Sequence, residues 1–353
     1  MIKTLSITKT VHEWLFSVMP EGVATVVEWV LIAALYLAFF ALAGLLLVWM
    51  ERRIAAFFQL RLGPNRVGPA GLFQTIADAL KLVTKELTGT AHADKFLYNL
   101  APYFVIVAAL VSLSVLPFSA SFQAFDINIG VFFIMAVSSI GVIGILLGGW
   151  ASNNKYSLIG AMRSGLQTVS YELSVGLSIL TIVLLAGSLQ ISEIVEAQRT
   201  GGWFILQGHI PAAIAFMIFM IAGTAETNRA PFDMVEAESE LGAGFHTEYS
   251  GMKFAYFFLA EFINMFIIAA VAVTIFFGAY LSPFGITESL PWLGVVWFML
   301  KVLVVIFLMM WFRWTFPRLR VDQLLTLEWK YLLPLNLMNI VLMAVIIWLN
   351  WTI

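Results

Sequence analysis

The sequence has no cysteine among its 353 residues, and charged residues make up only 11% of it. Without cysteine the chain can form no disulfide, carry no thiol nucleophile and hold no zinc ion or iron–sulfur cluster through thiolates. Its 4 histidines show no metal-ligand spacing, so we assign no metal and no cofactor bound by this chain. The formal net charge of −2 excludes the strongly basic face that nucleic-acid binding requires.

Hydrophobic residues, by contrast, make up 61% of the chain. A soluble domain is about 45–50% apolar, so the excess must face membrane lipid. An apolar run of about 20 residues crosses a bilayer as a helix, because its backbone groups bond to one another. We predict an all-α integral membrane protein with eight spans near residues 29–50, 97–119, 130–150, 166–188, 211–225, 254–281, 291–312 and 331–351. Residues 1–28 would form an N-terminal extension, and residues 29–353 a single polytopic membrane domain.

The basic residues fall mostly on one side of these spans. The loops after the odd-numbered spans, with their flanks, carry 15 of the 19 lysines and arginines: Arg52, Arg53, Arg61, Arg66, Lys81, Lys85, Lys95, Lys155, Arg163, Arg229, Lys253, Arg313, Arg318, Arg320 and Lys330. The other side has Lys3, Lys9 and Arg199. By the positive-inside rule we expect those loops to be cytoplasmic and both termini to be periplasmic in a bacterial inner membrane. An organellar inner membrane is the alternative.

Three charged residues lie within the predicted spans: Glu172, Glu261 and Lys301. Each costs roughly 2.5–3.5 kcal/mol to insert, so all three must face protein or a wet cavity. They form either buried structural pairs or a proton relay, and Lys301 could neutralise a neighbouring carboxylate. A Gly144-x-x-x-Gly148 pair in the third span predicts close helix packing.

The first cytoplasmic loop combines basic residues with an amphipathic helix. It opens on Glu51-Arg52-Arg53, where a topology signal explains the arginines but not the acid, and continues with the stiff, turning segment 63–69. Apolar residues then recur at helical spacing between residues 72 and 87, which predicts a helix lying at the membrane surface. Asp78 on this helix could pair with Lys81 one turn away.

The third cytoplasmic loop is acidic, unlike its neighbours. Between residues 226 and 253 it holds six acidic residues against two basic ones: Glu226, Asp233, Glu236, Glu238, Glu240 and Glu248 against Arg229 and Lys253. Pro231 can start a helix on which Asp233, Glu236 and Glu240 share one face. Like charges so placed would raise one another's pKa toward neutrality, and the alternative is a solvated acidic face.

Several longer motifs together resemble one family. They are Glu51-Arg52-Arg53, the Gly-Pro-Asn-Arg-Val-Gly-Pro loop at 63–69, Ser-Asn-Asn-Lys-Tyr-Ser at 152–157, Gln-Thr-Val-Ser-Tyr-Glu at 167–172, Ala-Glu-Thr-Asn-Arg-Ala-Pro-Phe-Asp at 225–233, Glu236-x-Glu238-x-Glu240, and Glu-Tyr-Ser-Gly-Met-Lys-Phe at 248–254. The chain resembles the H-type subunit of NADH:quinone oxidoreductase, respiratory complex I, which corresponds to mitochondrial subunit 1. The resemblance runs from about residue 28 to residue 350.

This resemblance implies a membrane-arm subunit of a proton-translocating enzyme, not catalytic alone. It would form the membrane-side quinone tunnel, with the site residues Glu51, Arg52, Arg53, Arg61, Asp78, Phe232 and Asp233. It would also carry a proton or coupling path, with the residues Glu172, Glu226, Glu236, Glu238, Glu240, Glu248 and Glu261. Quinone, such as ubiquinone, would be the substrate. NADH, FMN and iron–sulfur clusters would bind to partner subunits of the iron–sulfur arm, and small membrane subunits would lie alongside.

Three other functions compete with this one. An equivalent subunit of a membrane-bound hydrogenase-type complex would share the fold without NADH. A stand-alone proton-coupled transporter is typically built from inverted repeats, which the sequence does not show. A pure assembly scaffold leaves Glu172 and Glu261 unexplained.

Overall fold

The computed structural model describes residues 9–120, 122–235, 238–282, 291–349 and 351. The described residues form a helical bundle with these α-helices in chain order: α1 (Lys9–Val18), α2 (Glu21–Phe58), α3 (Gln74–Thr84), α4 (Lys95–Ser114), α5 (Gly130–Ala151), α6 (Lys155–Ala186), α7 (Ile191–Gly201), α8 (Phe204–Gln207), α9 (His209–Glu226), α10 (Glu238–Leu241), α11 (Gly251–Phe276), α12 (Pro291–Thr315), α13 (Val321–Thr326) and α14 (Leu333–Trp348). Short 3₁₀ turns lie at Pro69–Gly71 and Gly244–His246, and a π-helical turn at Leu327–Leu332 joins α13 to α14.

Within the described residues, eight helical segments are long and apolar enough to cross a membrane, which confirms the predicted fold class. They are α2, α4, α5, α6, α9, α11, α12 and the continuous segment from α13 to α14. α3, the shorter amphipathic helix, lies where the sequence predicts it.

The first span is longer than the sequence predicts. At about 1.5 Å per residue, the 38 residues of α2 extend about 57 Å, against about 30 Å for a hydrocarbon core. It begins eight residues before residue 29, inside the predicted N-terminal extension, and ends only at Phe58. Glu51, Arg52 and Arg53 are therefore helical and do not open a loop. The helix can pass through them because these residue types favour helix and no glycine or proline follows before Gly63.

Two other spans begin about ten residues earlier than predicted, each on the side that carries most of the basic residues. α6 starts at Lys155, where the Asn154 side chain caps the helix by accepting a hydrogen bond from the backbone N–H of Tyr156 at 2.9 Å. The last span starts at Val321, ten residues before the predicted start. Because the first turns of these two helices contain polar residues, the pattern of apolar runs does not include them.

α11 occupies the centre of the bundle. Of its most apolar window, 83% is buried, against 22% for α2 at the periphery. Elsewhere the bundle relies on small residues, as predicted for the third span. A methyl group at Gly144 would lie 2.6 Å from Val105 Cγ2, and one at Gly148 would lie 3.2 Å from the Phe257 ring, so α4 and α11 approach α5 closely.

Candidate functional site

Four charged side chains meet beside α11 and form what we call the ionic cluster: Glu51, Arg229, Glu261 and Arg313. Arg229 Nη1 lies 3.3 Å from Glu51 Oε2, and Arg229 Nη2 lies 3.3 Å from Glu261 Oε2. Arg313 pairs with the other carboxylate oxygen of Glu51. The Arg229 guanidinium also lies over the Phe262 ring, 4.1 Å from its centroid. The formal charges within the cluster sum to zero.

The ionic cluster provides a basic partner for Glu261, one of the charged residues within the predicted spans. An isolated charge within the membrane would be costly. Once such a charge is paired, removing its partner is strongly destabilising, because the remaining charge is buried without compensation. Glu261 is paired with Arg229, a residue that the sequence placed in a loop. Arg313 was counted only as a basic flank, and its role in the cluster was missed. Side chains on α2, α11 and α12 and just after α9 are thus held together by charge.

A polar cavity of about 40 Å³ lies next to the cluster, between α4, α5, α6, α9 and α11. Its polar lining includes Ser138, Thr168, Glu226, Asn228 and Asn264. A space of this size with several hydrogen-bonding groups can hold a few water molecules. One oxygen of the Glu226 carboxyl is buried without a hydrogen-bond partner among the described residues, so water in the cavity would be its natural partner.

Glu172 lies on α6, close to the Glu226 side of this cavity. Its carboxyl accepts a hydrogen bond from Ser139, while the neighbouring Ser138 lines the cavity. Glu172 is near enough to Glu226 to interact with it electrostatically. Two adjacent serines of α5 thus lie beside the carboxyls of Glu172 and Glu226. The structure excludes a pairing of Glu172 with Lys301, because that ammonium donates to the backbone carbonyls of Phe277, Ala279 and Leu281 at 2.7, 2.9 and 2.7 Å.

Residues 226–229, which we call the junction segment, separate the cavity from the ionic cluster. Glu226 and Asn228 line the polar cavity, whereas Thr227 and Arg229 line a second small cavity that reaches Glu51 and Arg313. Gln167 on α6 fixes this segment by donating to the Ala225 carbonyl at 2.7 Å and to Asn228 Oδ1 at 3.3 Å. Alternate residues of the junction segment therefore line two different cavities.

The first loop folds back on the end of α2. Arg52 Nη1 lies 2.5 Å from Asp78 Oδ2, so Asp78 pairs across to α2 and the predicted pairing with Lys81 is wrong. Arg53 Nη1 donates to the carbonyls of Pro64 and Ala70 at 3.4 and 3.5 Å, and Arg61 donates to the Gln59 side chain at 2.5 Å. The turning loop is kept close by Gly71, where a methyl group would lie 2.3 Å from the Pro64 oxygen.

α3 turns its apolar stripe outward. Ile76, Leu80 and Val83 are 43%, 62% and 60% exposed, and Leu87 just beyond the helix is 61% exposed. Phe57 near the end of α2 and Leu60 and Leu62 in the following loop are 70%, 95% and 87% exposed. The surface formed by these seven residues is what we call the apolar apron. Exposed apolar side chains of this number and size are covered by lipid or by a protein partner.

The third loop does not form the helix predicted from Pro231. Phe232 and Met234 close turns through their backbone N–H groups, so Asp233 is not helical. Phe232, Met234 and Val235 are all buried. Glu236 lies outside the described residues, as does the side chain of Glu238. The proposed like-charged helix face is therefore not formed at Asp233.

Glu240 is paired rather than crowded by acids. Arg163 Nη1 lies 2.6 Å from Glu240 Oε2, and Arg318 Nη2 lies 3.8 Å from the other oxygen. The hydrogen bond from Arg163 and the positive charge of the neighbouring arginines lower the pKa of Glu240. The expectation that repulsion raises it is wrong for this residue. Its side chain is 53% exposed, as a solvated ion pair would be.

Glu248 braces the cytoplasmic-side ends of α4 and α6 as the sequence orients them. Its carboxyl accepts a hydrogen bond from Asn154 Nδ2 at 2.6 Å, and its backbone carbonyl accepts one from the Tyr98 hydroxyl at 2.6 Å. The Tyr98 and Tyr249 rings stack with centroids 4.2 Å apart. Burial raises the pKa of the Tyr249 hydroxyl, which donates to the Tyr98 carbonyl. These structural contacts hold Glu248, which is not among the lining residues of the polar cavity.

Sequence reasoning missed a buried carboxyl in the last span. Glu328 has no exposed surface, yet the apolar pattern places it in the loop before residue 331. Leu324 and Leu332, four residues to either side, are buried on the same helical face, and this spacing is the signal that could have found it.

In the described part of the chain, no group of three or more His, Cys, Asp or Glu side chains is arranged to hold a metal ion.

These features define a class of protein. A bundle of membrane-spanning helices that encloses ion pairs, a polar cavity and uncompensated carboxyls is typical of membrane proteins that handle protons or ions. The comparisons with known proteins narrow this class to one family. The protein-family profile described as NADH dehydrogenase matches residues 31–344.

Relatives of known name cover nearly the whole chain. The H-type subunit of NADH-quinone oxidoreductase from Bacteroides fragilis is 57% identical over 349 residues, covering 97% of each chain. The protein of the same name from Bacteroides thetaiotaomicron is 55% identical over 346 residues, covering 96% of each chain. NADH-quinone oxidoreductase subunit 8 of Rhodothermus marinus is 48% identical over 326 residues, covering 89% of this chain and 95% of that one. The chain belongs to the family of H-type subunits of NADH-quinone oxidoreductase, which confirms the predicted family and enzyme class.

Proposed function

We propose that the chain is a membrane-arm subunit of a proton-translocating NADH:quinone oxidoreductase. It forms the membrane-side wall of the quinone tunnel and part of the path that couples quinone reduction to proton movement. Electrons come from NADH through FMN and iron–sulfur clusters in partner subunits, since this chain has no cysteine with which to hold a cluster. The names of the relatives support this function over a hydrogenase-type complex, a stand-alone transporter or a scaffold.

The junction segment is the observation that carries the proposal. Arg229 joins the ionic cluster, while Glu226, three residues earlier, opens onto the cavity that neighbours Glu172. A change of charge near Glu51 therefore acts on a residue that shares a short, fixed segment with Glu226. Electrostatic interactions in a site of low dielectric are strong, so such a change can shift the proton affinity of nearby carboxyls.

The quinone side of the proposal uses the end of α2 and the first loop. Arg52, Arg53, Asp78 and Arg61 lie there, and Glu51 lies one position before the arginines, inside the ionic cluster. A quinone with an apolar tail enters from the bilayer, which suits the exposed apolar apron beside these polar groups. Subunits of the iron–sulfur arm would cover the cytoplasmic-side part of that surface.

Phe232 and Asp233 complete the proposed tunnel from the third loop. Phe232 is 5% exposed and its ring lies 5.7 Å from the Tyr171 ring, so its role is to shape the wall. The backbone carbonyl of Pro231 accepts a hydrogen bond from Leu319 N–H at 3.1 Å, which ties this loop to the end of α12.

The proton side of the proposal rests most strongly on Glu172 and Glu226. Each is a carboxyl within a span that lacks a basic partner among the ion pairs of the described residues. Glu240, Glu248 and Glu261 belong to the same proposed path but act there through their partners, because each is already bound to an arginine or an asparagine. Glu236 and Glu238 belong to the proposed path on the basis of the sequence motif alone.

Substitution of the two unpaired carboxyls tests the proposal. Glu172→Gln and Glu226→Gln keep side-chain size and hydrogen bonding but remove titration. In the assembled complex, electron transfer from NADH to ferricyanide should stay at the wild-type rate, while quinone reduction, proton pumping or both should fall at least tenfold. Glu196→Gln is the matched control, since Glu196 pairs with Arg199 and is 59% exposed. Full pumping per NADH oxidised in both test variants would refute the proposed path.

A further inference from the structure

Glu328 is a carboxyl within the last span that the proposed path does not use. It lies on the π-helical turn Leu327–Leu332, between α13 and α14, and its relative exposure is 0%. Turns of this kind inside α-helices occur frequently at functional sites. The side chain points toward α6, where it meets Ser174.

Among the residues that the structure describes, the carboxyl has a single hydrogen-bond partner. Ser174 Oγ lies 2.5 Å from Glu328 Oε1, while Oε2 is buried and has no partner among the described residues. No ion pair of those residues includes Glu328. Asn336, two turns further along, donates to the Ser174 carbonyl at 3.1 Å, and its own Oδ1 also lacks a donor.

The other polar groups around this site are neutral or turned away. Tyr171 on α6 is the titratable neighbour, and its hydroxyl is occupied in donating to the Leu324 carbonyl at 3.0 Å. Trp329 Nε1 donates to Ser170 Oγ at 3.4 Å. Lys330 is exposed, and its ammonium lies over the Tyr331 ring, 5.8 Å from the centroid. None of these contacts supplies a positive charge to Glu328.

A carboxylate in these surroundings would be poorly stabilised. A buried charge needs a counter-charge or several hydrogen bonds, and this one has a single neutral donor. The unsatisfied atoms of Glu328 and Asn336 are both acceptors, so what the site lacks is a donor hydrogen. We propose that Glu328 is an intramembrane proton-binding site, which holds its proton as a carboxylic acid at neutral pH.

This site is separate from the Glu172 site. Successive residues of an α-helix are rotated by about 100°, so Glu172 and Ser174 point to nearly opposite sides of α6. Glu172 contacts Ser139 on α5, whereas Ser174 contacts the last span. α6 therefore carries protonatable carboxyls on two faces, and the proposal for Glu328 does not depend on the role assigned to Glu172 or Glu226.

Modification by N,N′-dicyclohexylcarbodiimide tests the proposal directly. This apolar reagent takes the acid proton on one nitrogen while the carboxyl oxygen bonds to its central carbon, and rearrangement leaves a stable N-acylurea that retains all atoms of both reactants. The assembled complex in its native membrane is treated at neutral pH, and peptides are mapped by mass spectrometry. We expect an adduct on Glu328, its loss in Glu328→Gln, and no adduct on Glu240, which is charged and paired with Arg163.

Adducts on other carboxyls within the spans, with none on Glu328, would overturn the proposal. If no carboxyl of the chain is modified, the melting temperature of the complex decides. Glutamine reproduces the shape and the donor of a neutral acid, so Glu328→Gln should melt with the wild type, whereas Glu328→Leu, which leaves Ser174 without its acceptor, should melt about 2 °C or more lower. A Glu328→Gln complex that melts as low as the leucine variant would show that the charge is needed and that the proton is absent.

Discussion

Arg229 and Glu261 form an ion pair, with 3.3 Å between Nη2 and Oε2, in which both side chains are about nine-tenths buried. The same guanidinium reaches Glu51 from its other terminal nitrogen, at 3.3 Å. One residue just after α9 therefore neutralises acidic groups of α2 and α11 together. The pairing explains how Glu261 is tolerated at the centre of the bundle, and it makes Arg229 the residue on which the ionic cluster depends most.

Replacing Arg229 with alanine should destabilise the bundle more than replacing either acid with glutamine. Arg229→Ala removes the cation that Glu51 and Glu261 share and leaves Glu51 with Arg313 alone, and breaking such a buried pair costs about 3–5 kcal/mol. We expect a strong loss of assembled complex, measured by native gel and by melting temperature, and partial recovery in Arg229→Lys. Assembly of Arg229→Ala at the wild-type yield and melting temperature would show that the cluster contributes little to stability.

Replacing Arg53 with alanine should impair quinone reduction without disturbing topology. Arg53 binds the carbonyls of Pro64 and Ala70, and a hydrogen bond from a charged donor is worth about 1.5–3 kcal/mol. Loss of these contacts should loosen the first loop and raise the KM for quinone about tenfold. Arg199→Ala is the control, because Arg199 pairs with Glu196 on α7 and lies outside the first loop. Equal quinone kinetics in the two variants would count against a tunnel role for Arg53.

The pH response of the Glu240 bridge should follow its lowered pKa. A glutamate whose folded-state pKa lies below its ordinary value of about 4.3 contributes stability above that value and loses it as the pH falls through the lowered one. The melting-temperature difference between wild type and Glu240→Gln should therefore stay constant from about pH 8 to pH 5. A difference that changes within that window would mean that acidic neighbours raise the pKa after all.

The orientation of the spans predicts the side on which residue 250 lies. With 15 basic residues on one side against 3 on the other, the loop from Glu226 to Lys253 should be cytoplasmic and both termini periplasmic. A cysteine introduced at Ser250 suits the test because the chain has no other cysteine. An impermeant maleimide should label it in inverted vesicles and leave it unlabelled in intact cells. The opposite pattern would reverse the topology.

The helical class and the number of spans followed from the sequence. Apolar runs of sufficient length must satisfy their own backbone hydrogen bonds in lipid, so hydrophobicity alone located each span. Hydrophobicity located the ends of a span less accurately where those ends carry polar residues. α2, α6 and the last span all begin or continue beyond their apolar runs, because side chains such as Glu51, Asn154 and Glu328 find partners that the one-dimensional pattern does not contain.

The partners of the charged residues were decided by tertiary structure alone. Sequence motifs pointed to Glu51 and Arg229, and the cost of a charge within a span pointed to Glu261. Arg229 and Glu51, however, are 178 positions apart and meet only because α2 and α9 both pack against α11. Likewise, Asp78 pairs with Arg52 rather than with the nearer Lys81, and Lys301 binds helix-end carbonyls rather than Glu172. Residue types set which groups need compensation in a membrane, whereas the packing of distant helices determines which group provides it.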